Sequence, residues 1–202
     1  MAQPHNPPPL PEDPIPLVRR RAGPLARPAV GGESSLFERW SEADVILDAR
    51  IDAVRTWTHD VPPGAARMHV DWCIASLREV RECLGELRTV VASAGADERI
   101  PKDSPLVRYV TEAYVWAGDV LEDVSAFVRQ LRRQDPAPTK PALGSIDGAS
   151  DYVVEFLDPL QRRIERSLAE LRADPALRQV PQLLARLRAA IGMISWSPCT
   201  SV

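Results

Sequence analysis

The chain has 202 residues, 45% hydrophobic and 26% charged, with a formal net charge of −3. This balance describes an ordinary folded core with a solvated surface and excludes a fibrous protein or a wholly disordered one. No apolar run approaches the roughly 20 residues that cross a bilayer, so no membrane contact is expected and a cytoplasmic location follows.

Residues 1–33 hold nine of the twenty prolines and no aromatic residue. A segment with so few backbone donors and so little apolar area cannot offset its ordering entropy, which predicts a disordered tail. Pro8-Pro9-Leu10-Pro11 with Arg19-Arg20-Arg21 also has the outline of a polyproline-II ligand with a basic flank. A flexible proline-rich arm that docks and one that only solubilises both fit this composition.

A helical domain is expected over 34–196. The first helix runs from Ser34 or Ser35 to Asp60, because Leu36, Trp40, Ala43, Leu47, Ile51, Val54 and Trp57 recur at steps of three and four. Asp44, Asp48 and Asp52 share its flank and are expected to be solvated, with Arg55 as a local counter-charge. Val61-Pro62-Pro63-Gly64 ends that helix. A second follows over 65–94 on the seam Val70, Cys73, Leu77, Val80, Leu84, Leu87 and Val91, with Gly85 marking a close helix crossing or an exposed position.

Asp103 or Ser104 caps a third helix at Pro105–Arg133. Its two apolar seams, one through Leu106, Val110 and Ala117 and one through Val107, Tyr114 and Leu121, make it the central element. Residues 134–149 read as an internal linker. Helix four starts near Ser150 and is kinked or restarted at Pro159. Asp174-Pro175 opens helix five, which Pro181 shortens, and 197–202 should fray. The fold class is therefore all-α, an up-and-down bundle of four to five helices.

Chemistry is sparse. No Glu-x-x-His pair, nucleophile elbow or phosphate loop is present, and Cys73, Cys83 and Cys199 form neither a disulfide framework nor a CxxC site. His59, His69 and Cys73 are the candidates for a metal site, since imidazole and thiolate suit zinc, but no fourth ligand is evident. No cofactor is expected.

Charge is uneven along the chain: residues 34–159 carry 14 basic and 22 acidic groups, residues 160–202 carry 7 and 3. The basic set is Arg162, Arg163, Arg166, Arg172, Arg178, Arg186 and Arg188, which either docks on the acidic bundle or faces an acidic partner. Trp72 and Trp116 lie off the main seams and are candidates for a contact with a protein partner or a second copy. These features point to a non-catalytic protein-interaction module: an adaptor, regulator or accessory subunit. The alternatives are a regulator that binds nucleic acid through the basic C-terminal helices and a metal-dependent helical-bundle enzyme. The near absence of lysine, only Lys102 and Lys140, suggests a GC-rich bacterial genome.

Overall fold

A computed structural model of the chain describes residues 36–93, 104–133, 146, 148–170 and 175–195. The segments expected as a tail at 1–33 and a frayed C-terminus at 197–202, and most of the expected linker at 134–149, lie outside the described residues, as do Ser34, Ser35, Asp103 and Asp174. What is described belongs to the unit Gly32–Val202.

Helix α1 spans Leu36–Thr58, α2 Ala65–Ser93 and α3 Pro105–Arg132. A fourth rod is composite: α4 covers Ala149–Asp151, a π-helical stretch covers Tyr152–Leu157, and α5 covers Asp158–Glu170. A 3-10 turn at Pro175–Gln179 leads into α6, Val180–Ser195. Taking the composite rod as one, the described residues form five helices and no strand.

Side-chain pairs fix the directions. Near the start of α1, the Trp40 indole donates to Thr111 Oγ1 near the start of α3 (3.2 Å). Beyond the end of α1, Asp60 pairs with Arg132 at the end of α3 (2.9 Å). The two helices are therefore parallel. Asp52 meets Arg78 and Asp44 meets Arg81, so α2 runs against both. Tyr152 lies on Trp116, and Phe156 lies under Arg108; the composite rod runs against α3. Trp72 with Met193 and Glu79 with Arg186 set α6 against α2. The order is up, down, up, down, up.

Apolar periodicity explains the packing. All seven predicted seam residues of α2, from Val70 to Val91, are buried, and both seams of α3 turn inward. Each fully buried aliphatic side chain contributes about 1.5–3 kcal/mol. The centre is shared, however: α3 packs against α1, α2 and α5, while α2 packs against α1, α3, α6 and the 3-10 turn. Ser104 provides the α3 cap, its Oγ accepting from the Val107 N–H (3.3 Å), and Pro105 follows in the first turn where a missing donor costs little.

Three local expectations change. Gly85 is not a close crossing, because a Cβ added there meets nothing within 4 Å. Ile146, assigned to the linker, is a buried core residue. Pro159 does restart the fourth rod, but through a π-helical turn. Proline has no N–H and its ring collides with the carbonyl four residues earlier. Just before it the Asp158 N–H reaches back to the Val153 carbonyl, and this wider spacing takes up the mismatch. Pro181 falls in the first turn of α6, after a 3-10 entry, and there it breaks no interior bond. Among the described residues, no helix is long and apolar enough to cross a membrane.

Candidate interaction surfaces

The potential metal ligands do not converge. His69 is buried on α2 with Nε2 3.9 Å from Cys73 Sγ and its ring edge-on to Phe127 at 6.2 Å. His59 is exposed beyond the end of α1. Among the described residues, no three His, Cys, Asp or Glu side chains are placed to hold an ion. Burial also pushes the Cys83 thiol up to about 12, reinforced by Glu79 and Glu86 against the opposing pull of Arg186. It behaves as a core side chain rather than a nucleophile.

The aspartate row on α1 is solvated only in part: the Asp48 and Asp52 side chains are 49% and 63% exposed, and Asp44 is the member that departs from the expectation. Asp44 is buried and its two oxygens receive Nε and Nη2 of Arg81, each at 3.2 Å, with Arg88 at 3.9 Å. Asp48 also pairs with Arg81 (3.0 Å), and Asp52 pairs with Arg78 (2.7 Å). The counter-charges come from the facing helix, not from Arg55. Three carboxylates on one stripe of α1 thereby set its register against α2.

One of the C-terminal arginines, Arg186, does the same for the other side of α2, and a second, Arg188, ties α6 to α5. Arg186 Nη2 lies 2.8 Å from Glu79 and Nη1 3.0 Å from Glu86, both across the α2/α6 seam. Arg188 grips Asp158 at the head of α5 in a two-pronged pair. Arg178 is exposed on the 3-10 turn, and Arg172 lies outside the described residues. Basic end and acidic middle are joined at these two points.

Arg162, Arg163 and Arg166 are exposed on α5 and, together with Arg108 of α3, line an open groove of about 450 Å³. Phe156, Pro159 and Leu160 contribute apolar lining, and Glu155 is the one acid there. Nothing among known family models, curated proteins or solved structures matches this chain.

An aromatic column runs from the core to this groove. Trp116 stacks on Tyr152 with centroids 5.6 Å apart, Tyr152 stacks on Phe156 at 5.4 Å, and the Arg108 guanidinium lies 5.3 Å from the Phe156 ring centre. Two of its members, Tyr152 and Phe156, sit in the π-helical stretch, a geometry often retained at functional sites. Trp116 is only 7% exposed, which removes it from the candidate contact surface: its ring is used up inside the molecule.

Trp72 remains on the surface, 36% exposed, flanked by Met68 at 61% one helical turn away on α2 and by Met193 at 47% on α6. The Trp72 indole N–H donates to the Met193 carbonyl at 2.8 Å, tying the patch across the two helices. Sequence reading found Trp72 but not its methionine neighbours. Met68 precedes Trp72 by four residues and could have been recognised from helical spacing; Met193 becomes its neighbour only once α6 packs on α2. Arg108 and Phe156 were likewise missed, since nothing local links them.

Proposed function

We propose that this chain is a non-catalytic protein-interaction module, an adaptor, regulator or accessory subunit, that meets a protein partner through the face shared by α2 and α6. The observation that carries this reading is the exposed Met68, Trp72 and Met193 cluster. Tryptophan and methionine are enriched where proteins meet, the first as a large rigid anchor and the second as an adaptable filler. The only polar atom of the Trp72 side chain is already bonded within the chain, so covering the patch leaves no donor unsatisfied. A cytoplasmic setting fits Cys73 and Cys83, two buried cysteines that form no disulfide among the described residues.

Nucleic-acid regulation is the weaker reading. Two of the seven arginines that suggested it, Arg186 and Arg188, are spent on Glu79, Glu86 and Asp158, which narrows the basic face a duplex would need. The metal-enzyme reading has no three-ligand group among the described residues to build on.

The test places a photo-crosslinking amino acid at Met68 and, as a control, at Val154, which is equally exposed on another rod. A discrete protein adduct from the first position, absent from the second and lost on Trp72→Ala, is the expected result. Identical background from both positions would refute the assignment.

A further inference from the structure

The arginines of the interhelical seams are paired: Arg78, Arg81, Arg132, Arg186 and Arg188 each hold a carboxylate. Arg108, Arg162 and Arg166 have none among the described residues, and all three face the same groove. None is loose, however. Arg108 is laid over Phe156, Arg162 Nε donates to the Asp158 carbonyl and Arg166 Nε to the Arg162 carbonyl. Each anchor uses the ring face or the Nε alone, which leaves the terminal nitrogens of the guanidinium to bind an outside acceptor at reduced entropic cost.

We infer that the groove between α3 and α5 is a docking site for an acidic segment of a partner protein. Arg162 and Arg166 lie one helical turn apart, roughly 6 Å, close to the roughly 7 Å between alternate side chains of an extended peptide. Their Nε anchors, the Asp158 and Arg162 carbonyls, are also one turn apart, which strings the two charges along α5 rather than gathering them around a compact phosphate. Phe156 and Pro159 between them give apolar side chains of such a segment something to cover. Glu155 in the lining and the net charge of −3 act against a dense polyanion such as a nucleic-acid backbone. Guanidinium and carboxylate match as planar forks, so carboxylates of the segment gain two parallel bonds at each arginine.

This surface is separate from the Trp72 patch and stands or falls independently of it. The probes are a short synthetic peptide alternating glutamate with leucine, its glutamine counterpart, inorganic tripolyphosphate and a single-stranded oligonucleotide, each titrated into the full chain. Tryptophan fluorescence reports occupancy, because Trp116 ends the column on which Arg108 rests. The glutamate peptide should bind, weaken as salt rises, and lose roughly tenfold or more in affinity when Arg162→Glu and Arg166→Glu are combined. Arg162→Gln with Arg166→Gln should lose less, and Trp72→Ala nothing. Both arginines are exposed, so an unchanged thermal melt by circular dichroism accompanies these losses. Equal affinity for the glutamine peptide, no effect of charge reversal, or equally tight arginine-dependent binding of tripolyphosphate or the oligonucleotide would each overturn the inference.

Discussion

The indole of Trp116 lies flat against the phenol of Tyr152, the two planes 5° from parallel. Yet the Tyr152 hydroxyl, like that of Tyr109, is buried without a hydrogen-bond partner among the described residues. Ring and hydroxyl therefore pull in opposite directions. Tyr152→Ala should destabilise the fold by about 3 kcal/mol through loss of the stack and the cavity left behind. Tyr152→Phe and Tyr109→Phe should each be neutral or stabilising by up to about 1 kcal/mol, since they remove a desolvated, unsatisfied group. Urea unfolding distinguishes the two classes; a costly Tyr152→Phe would mean that the hydroxyl has a partner.

Asp44 is the buried member of the α1/α2 charge ladder. Replacing it with alanine leaves Arg81 half-buried with only the exposed Asp48, and the expected cost is about 2 kcal/mol, reduced from the fully buried case by solvent around the guanidinium. Asp48→Ala should cost less than about 1 kcal/mol. Combining Asp44→Leu with Arg81→Met should recover most of the stability. If the pair replacement is as damaging as Asp44→Ala, charge is not what holds these helices in register.

Gly85, Gly118 and Gly192 sit inside α2, α3 and α6, and among the described residues nothing lies within 4 Å of an added Cβ. Alanine at each should stabilise by roughly 0.5–1 kcal/mol, because it restricts the unfolded backbone and meets no steric penalty. Additive rises in the thermal midpoint across single and triple variants would bear this out. A loss at any one site would reveal a close approach there.

Stability should fall on the alkaline side. In the unfolded chain the Cys83 thiol titrates near its ordinary value, whereas in the fold it keeps its proton to about 12. The folded state thus binds more protons across that interval, and stability is full below about pH 8.5 and lost progressively as pH rises toward 12. Burial raises the phenols of Tyr109, Tyr114 and Tyr152 as well, which adds to the loss above about pH 10. Urea midpoints measured from neutral pH to about pH 11 should decline, with a shallower slope in Cys83→Ala. An unchanged slope would show that the thiol is not responsible.

Much of the fold was legible because helix burial follows a rhythm that one strand of sequence carries by itself. The α2 and α3 seams, the Ser104-Pro105 start and the break at Pro159 are all local signals. What faces what is not local. Asp44, Asp48 and Asp52 have the spacing of a solvated row, and only the approach of Arg78 and Arg81 makes them a contact. Likewise, the seven C-terminal arginines look alike in sequence, and packing alone sets Arg186 and Arg188, which are neutralised, apart from Arg162 and Arg166, which hold no carboxylate among the described residues. Arg108 joins the latter from a helix some fifty residues earlier. The π-helical turn was invisible for a different reason: periodicity predicts that a helix is interrupted, not how its hydrogen bonds are redistributed.

The bond between Arg186 and Glu79 closes a chain separation of 107 residues. Until α6 has been synthesised, the face of α2 that it covers, including Cys83 beside Arg186, has no lid. At translation speeds of roughly 5–20 residues per second, that leaves a greasy stripe bare on the nascent polypeptide for something on the order of ten seconds. Completion of the bundle must wait for this late arrival, and the interval is an opening for chaperones to bind and for aggregation to begin.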